Sequence, residues 1–231
     1  MCYSFRTSIL SYVLGIISGI FALCTRQIVL GCLILTYSQM QFSEMLIWYG
    51  IDHNDTKINR FGTSYGKYLL ATHNIAISIG IIISVLIISR KSFNISYLIP
   101  LVISILFFMF IVIFYYLPNN YPDITLPLDK NCIDSTKRCQ NPNNRLNWEW
   151  PKTWYIYGFI ISLILLFIYI KPLNSKIWLS FVFVSTFIYM LIFNKTVVGS
   201  LWCFSTAILA PLIVLVNYFI IKNMDSSDIL T

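Results

Sequence analysis

Charged residues are scarce in this chain, and their scarcity excludes the commonest class of protein. They make up 11% of the sequence, whereas hydrophobic residues make up 58% and the mean hydropathy is +0.75. A soluble domain has about 25% charged residues, so the composition excludes an ordinary soluble globular protein. The net charge of +7 comes from basic residues that stand singly or in pairs between apolar runs. Because they form no basic stripe, they predict no nucleic-acid partner.

Histidine occurs only twice, as His53 and His73. A zinc site held by three histidines, as in membrane hydrolases of the alkaline ceramidase kind, therefore cannot be built. The last apolar run has no central lysine, because Lys195 and Lys222 only flank it, and this excludes a retinal-binding rhodopsin. The acidic-Arg-Tyr and Asn-Pro-x-x-Tyr motifs of typical G-protein-coupled receptors are missing, as are a Walker loop and a nucleophile elbow. The sequence thus predicts no cofactor, no metal ion and no catalytic residue.

The sequence is rich in long apolar runs, each of 17–23 residues. Each run is long enough to cross about 30 Å of hydrocarbon as a helix. The runs predict an all-α, polytopic membrane protein, a bundle of seven transmembrane helices in one domain, with the lipid bilayer as its partner. The predicted helices are 8–24, 28–50, 68–89, 95–116, 152–170, 177–193 and 199–221. Between them we expect a polar loop at 51–67 and an outer loop at 117–151, which is rich in proline and too polar to be buried.

Basic residues are denser in the short connections between the runs than in the long ones. The short connections contain Arg26, Arg90, Lys91, Lys171 and Lys176. The positive-inside rule places these connections in the cytoplasm, so we expect a lumenal or extracellular N-terminus and a cytoplasmic C-terminus. The glycosylation sequons at Asn54 and Asn194 agree with this orientation, whereas the sequon at Asn94 does not.

Glu44 is the only acidic residue inside a long apolar run. A carboxylate there costs about 2.5–3.5 kcal/mol on insertion scales, so it needs a partner or a purpose. Tyr37, Gln41, Glu44 and Trp48 follow the spacing i, i+4, i+7 and i+11, which places all four on one face of a helix. The sequence therefore predicts a polar stripe on the second helix.

Polar residues of two other helices are predicted at the depth of Glu44, in the outer third of the bilayer. The expected binding residues are Glu44, Gln41, Trp48, His73, Ser200 and Trp202. A pocket of this kind would bind a small cation, a proton or a lipid headgroup. Two other interpretations stay open. The polar groups could instead hydrogen-bond between helices and lock the bundle, or Glu44 could be protonated and point toward lipid headgroups.

Five of the six tryptophans map to the outer boundary of the predicted bundle. They are Trp48, Trp148, Trp150, Trp154 and Trp202. An aromatic belt at the membrane surface is the usual account of such residues, since indole favours the interface. The alternative is an aromatic wall around the Glu44 site.

Cys132 and Cys139 lie in a C-x6-C arrangement in the long loop and predict a disulfide in an oxidising compartment. A zinc site there would need about four ligands, and no histidine or further cysteine lies nearby. The cluster Asp52-His53-x-Asp55 has a spacing too common in loops to predict a metal site.

Four short stretches resemble a known family. They are Met1-Cys2-Tyr3-Ser4, Gln41-x-x-Glu44-x-x-x-Trp48, the position of His73, and Gly199-Ser200-Leu201-Trp202-Cys203. Together they resemble a family of uncharacterised multi-pass membrane proteins encoded by giant DNA viruses of amoebae and algae. The resemblance implies a host or virion membrane, and it brings no activity with it.

Three functions from different classes fit these observations. The first is a binding or transport protein with an outer-leaflet pocket. The second is a membrane-embedded enzyme that acts on lipid, with Glu44 or His73 as acid or base. The third is a structural protein of a virion or host-derived membrane. The common depth of the polar groups favours the first, and the scarcity of histidine and of nucleophilic motifs argues against the second.

Overall fold

The computed structural model describes residues 4–86, 95–118, 122–127, 146, 148, 153–169, 173–193 and 198–222. Within these ranges the chain is helical, apart from turns and an isolated bridge between Pro127 and Leu146. The helices are α1 (Phe5–Cys24), α2 (Ile28–Asp52), α3 (Thr56–Ala71), α4 (His73–Ser84), α5 (Ile99–Ile111), α6 (Thr153–Tyr169), α7 (Leu173–Phe193) and α8 (Val198–Lys222). A 3₁₀ turn at Ile95–Leu98 precedes α5, and a π-helical turn at Val112–Tyr116 continues it. The predicted all-α class is confirmed.

Two helices in the described ranges are long and apolar enough to cross a membrane. They are Phe5–Cys24 and Ile95–Tyr116. A third candidate is the bent pair of helices Thr56–Leu69 and His73–Ser84, if the pair forms one span. The helix α2 is not among them, because the polar residues of its stripe lower its mean hydropathy. The predicted membrane class therefore agrees with the structure at this coarser level, with two to three candidate spans.

The helix α2 lies at the centre of the described structure. It packs against α1, α3, α4 and α8, and 15 of its 25 residues are buried. A helix with one partner buries a single stripe, so burial of this extent shows that α2 is enclosed on several sides. Enclosure also explains how α2 tolerates polar residues that a lipid-facing helix would not.

Small residues bring α1 and α2 into close contact. The buried face of α1 consists of Ser8, Ser11, Gly15, Ser18, Gly19 and Ala22. A Cβ atom added to Gly15 would lie 1.9 Å from the Ser38 Oγ atom, so the two backbones approach too closely for any side chain at that position. Small residues at this spacing are typical of membrane helices that associate through backbone contact. The predicted tight turn after α1 is present, and Arg26 adopts a left-handed φ of 62° there.

The prediction of a polar loop at 51–67 is wrong, because most of this segment is helix α3. The Asp55 carboxylate caps the helix by accepting hydrogen bonds from the backbone N–H groups of Lys57 and Ile58, at 2.9 and 3.1 Å. The side of α3 that is buried carries Asn59, Gly62, Thr63 and Gly66. These residues have helical spacing but are small and polar, so a search for apolar runs misses them. A bend of 57° separates α3 from α4.

The long loop after α5 is buried in part, contrary to the expectation that it is too polar to be buried. Leu146 is fully buried and Trp148 is 6% exposed. The Asn59 side chain binds the backbone of Thr125 through two hydrogen bonds. Its Oδ1 atom accepts from the Thr125 N–H group at 3.0 Å, and its Nδ2 atom donates to the Thr125 carbonyl at 2.9 Å. The described parts of the loop thus pack onto the start of α3.

Candidate functional site

The four residues of the predicted stripe on α2 are all buried. Tyr37 is 1% exposed, and Gln41, Glu44 and Trp48 are fully buried. The carboxylate of Glu44 therefore lies inside the protein and does not point toward lipid headgroups. A buried carboxylate is stable only when it is protonated, hydrogen-bonded or paired with a cation.

One side of the stripe faces α1. The Ser11 hydroxyl donates a hydrogen bond of 2.8 Å to the Gln41 Oε1 atom. Ser8 lies one turn before Ser11 on α1, and Glu44 lies one turn after Gln41 on α2. Because the two helices are antiparallel, the Ser11–Gln41 bond brings Ser8 to the level of Glu44. The Ser8 Oγ and Gln41 Nε2 atoms are buried and have no hydrogen-bond partner among the described residues.

The neighbouring side of α2 faces α3 through Ser43. Its hydroxyl donates a hydrogen bond of 2.7 Å to the Gly62 carbonyl. A Cβ atom on Gly66 would lie 2.4 Å from the Ser43 Oγ atom and 3.0 Å from the Trp148 Cη2 atom. The helices α2 and α3 are therefore in backbone contact at the level of Glu44, and the Trp148 ring covers this contact.

His73 packs against Tyr37 at the first turn of α4. The two ring centroids are 4.4 Å apart, and the ring planes are nearly perpendicular. Tyr37 lies seven residues before Glu44, which is about 10 Å along the helix axis at 1.5 Å per residue. The side chain of Tyr37 leans toward the N-terminus of α2, away from Glu44. His73 thus lies about two turns from Glu44, although the sequence predicts a common depth, and the binding role of both residues stays a prediction.

The Nε2 atom of His73 is another buried polar atom without a hydrogen-bond partner in the described part of the chain. His73 on α4 and Glu44 on α2 are therefore two separate buried polar residues, and the Tyr37 ring of α2 packs against His73.

Trp48 and Trp148, two of the tryptophans that the sequence assigns to the outer boundary, are buried inside the protein. Trp48 is fully buried, and Trp148 lies inside the protein against α3. The expectation of an aromatic belt is therefore wrong for these two residues. The alternative expectation, an aromatic wall around the Glu44 site, stays a prediction.

Several predicted site residues lie outside what the structure describes. Ser200 and Trp202 lie in α8, but the structure does not describe their side chains. Cys132 and Cys139 lie outside the described residues altogether. Within the described ranges, no group of three or more histidine, cysteine or acidic residues is placed to hold a metal ion. His53 in the Asp52-His53-x-Asp55 cluster stacks on the Tyr49 ring at 4.1 Å.

A second buried polar cluster, which the sequence did not predict, joins the α1–α2 turn to α7 and α8. The Asn217 side-chain amide donates a hydrogen bond of 2.7 Å to the Gln27 Oε1 atom, and the Ser175 hydroxyl donates to the Asn217 carbonyl oxygen. The Gln27 amide in turn donates to the Val214 carbonyl at 3.2 Å. In the sequence the cluster is marked only by one amide residue within the apolar run of α8, Asn217, and another in the turn before α2, Gln27. No local pattern shows that these two residues are in contact.

Comparison of the chain with protein-family models, with curated proteins and with solved structures finds no match in any of the three. Nothing in these comparisons bears on the resemblance to giant-virus membrane proteins, which stays a prediction.

Proposed function

We propose that this chain is a seven-span integral membrane protein in which Glu44 takes up a proton or a small cation inside the bundle. The seven spans would be α1, α2, the bent pair α3–α4, α5, α6, α7 and α8. The observation that carries the proposal is the complete burial of the Glu44 side chain at the centre of the fold. An ionised carboxylate at such a place costs several kcal/mol, and a bound proton or cation removes that cost.

Two polar groups near Glu44 support a binding site. The Gln41 amide nitrogen lies one turn before Glu44 on α2, and the Ser8 hydroxyl lies at its level on α1. Both are buried and have no hydrogen-bond partner in the described residues. Because buried polar groups in native proteins are nearly always hydrogen-bonded, such atoms indicate a missing partner. The Ser8 hydroxyl oxygen would coordinate a bound cation, and the Gln41 amide would orient the Glu44 carboxylate.

The membrane orientation is part of the same proposal. The Gln27–Asn217–Ser175 cluster brings together the α1–α2 turn, the start of α7 and the end of α8. These are the connections that the sequence assigns to one side from their basic residues. The positive-inside rule makes this side cytoplasmic.

A structural role is the second candidate, and the interhelical hydrogen bonds favour it. Ser11 bonds to Gln41 and Ser43 to Gly62, and Ser78 bonds to Ser104 at 2.9 Å between α4 and α5. Bonds of this kind hold membrane helices together without any ligand. In that case the chain would be a structural protein of a virion or host-derived membrane.

The substitution Glu44→Gln separates the two candidates, because glutamine keeps the shape and hydrogen-bonding capacity but does not ionise. We expect the melting temperature of the purified wild-type protein to depend on pH, or on added Na⁺ or K⁺, through the linkage of ligand binding to stability. Glu44→Gln removes this dependence. Asp123→Asn is the matched control, because Asp123 is an exposed carboxylate with 74% of its side chain accessible, and it retains the dependence.

Proteoliposomes with an internal pH indicator give a second measurement. Binding that is coupled to transport gives a proton or cation flux that Glu44→Gln abolishes and Asp123→Asn preserves. If wild-type protein and Glu44→Gln have the same melting temperature under all these conditions, Glu44 binds neither a proton nor a cation, and the structural role is favoured.

A further inference from the structure

An apolar groove of about 400 Å³ opens between α1, α2 and α3. Its apolar lining consists of Phe5, Met45, Leu46, Tyr49, Ile58 and Phe61. The volume lies within the range of about 300–1,000 Å³ that is typical of small-molecule sites. Phe61 is 60% exposed, so the groove opens outward from the bundle.

Aromatic contacts extend the apolar surface of the groove along α2. The Phe61 ring stacks on Tyr65, the Tyr65 ring packs against Phe42, and the Phe42 ring packs against Tyr12, with centroid distances of 6.2, 6.0 and 5.5 Å. The far end of this surface is polar, since the Tyr65 hydroxyl donates to the Gln39 side chain at 3.1 Å. The apolar surface is therefore elongated along the helix axis, which suits an extended hydrocarbon chain better than a compact ligand.

Lys57 is the charged residue of the groove lining. It has no ion-pair partner among the described residues, whereas the nearby Arg60 pairs with Asp123 at 3.7 Å. The Asp55 carboxylate is directed to the helix end, where it accepts from the backbone N–H groups of Lys57 and Ile58. An exposed ammonium group at the end of an elongated apolar groove is complementary to a molecule with a long apolar chain and an anionic head.

We propose that this groove binds an anionic phospholipid. One acyl chain lies along α2 between α1 and α3, and the headgroup phosphate contacts the Lys57 ammonium group. The site is separate from Glu44 and does not depend on the function proposed for that residue.

The test uses the full-length protein in nanodiscs made from an equimolar mixture of phosphatidylglycerol and phosphatidylcholine. Native mass spectrometry of protein released from these discs measures which lipid stays bound. We expect the wild-type protein to retain phosphatidylglycerol in preference to phosphatidylcholine. The substitution Lys57→Gln lowers this preference about fivefold, which corresponds to the loss of one basic residue near a membrane surface.

Lys222→Gln is the matched control, because Lys222 is an exposed lysine at the last residue of α8, away from the groove. It leaves the lipid preference unchanged. A second variant, Leu46→Trp, fills the groove and lowers retention of both lipids, and an unchanged melting temperature shows that it is folded. Equal retention of the two lipids by the wild-type protein, or equal effects of Lys57→Gln and Lys222→Gln, would overturn the proposal.

Discussion

The contact between Gly15 and Ser38 offers a direct test of how α1 packs on α2. A Cβ atom on Gly15 would lie 1.9 Å from the Ser38 Oγ atom and 2.9 Å from the Ser38 Cβ atom. Rotation of the serine side chain can move the first atom but not the second, because a Cβ position is fixed by the backbone. The substitution Gly15→Ala must therefore push α1 away from α2.

The expected cost follows from two opposing effects. Overpacking of a tight contact costs about 1–3 kcal/mol, and alanine gains up to about 1 kcal/mol over glycine in a helix interior. We expect Gly15→Ala to lower the free energy of unfolding by about 1–2 kcal/mol. For a chain of this size, that lowers the melting temperature by about 2–8 °C. Thermal unfolding of the purified protein, followed by tryptophan fluorescence, measures the change.

A second substitution makes the test specific. Ser38→Gly removes both clashing atoms, and the next neighbour, the Ala207 Cβ atom, lies at an ordinary contact distance of 3.5 Å. We expect Ser38→Gly to restore most of the stability lost in Gly15→Ala, and Ser38→Ala to restore less, because alanine keeps the Cβ atom. Ser38→Gly alone is destabilising, since it removes a hydrogen bond of 2.7 Å to the Ile34 carbonyl.

The double-mutant cycle decides the outcome. Residues in direct contact give coupling energies of about 0.5–3 kcal/mol, whereas independent sites give additive effects. Additive effects of Gly15→Ala and Ser38→Gly would refute the close contact. They would also refute the register that places Ser8 level with Glu44.

Two further predictions concern the ends of the bundle. Asn217→Leu removes the hydrogen-bond partner that the buried Gln27 and Ser175 side chains share. We expect it to lower the free energy of unfolding, measured by chemical denaturation, by about 1–3 kcal/mol. The control Asn174→Leu, at an exposed position, stays within about 0.5 kcal/mol of wild type. An equal effect of both substitutions would contradict the cluster. Asn59→Ala removes both hydrogen bonds to the Thr125 backbone. We therefore expect amide hydrogen exchange at Thr125 to become about tenfold faster or more. The control Ser64→Ala, at an exposed position, leaves the exchange rate unchanged. Unchanged exchange in Asn59→Ala would show that the loop is held by other contacts.

The stripe on α2 shows how far a local pattern predicts a site. Helical spacing alone placed Tyr37, Gln41, Glu44 and Trp48 on one face, and the structure buries all four. The position of His73 depends instead on where its segment begins. The sequence predicts a helix from residue 68, whereas α3 begins at Thr56 and the chain bends by 57° before α4.

The helix α3 shows the limit of reading membrane proteins by apolar runs alone. Its buried face consists of small and polar residues whose packing against α2 depends on close backbone approach at Gly62 and Gly66. Mean hydropathy does not detect such a face, because the stabilisation comes from van der Waals contact and hydrogen bonds between helices. The Asp55 cap was the local signal that could have predicted where α3 begins.

The sequence by itself determined the helical class of this protein and the position of Glu44, the one acidic residue inside a long apolar run. Scarcity of charge, the length of the apolar runs and the 3.6-residue period are properties of neighbouring residues, so they can be read along the chain. Only the tertiary structure decided which helices meet and at what level. The partners of α2, the two turns between Glu44 and His73, and the Gln27–Asn217 bond depend on contacts between distant segments. Those contacts are set by the fit of small residues between helices, which no local pattern specifies.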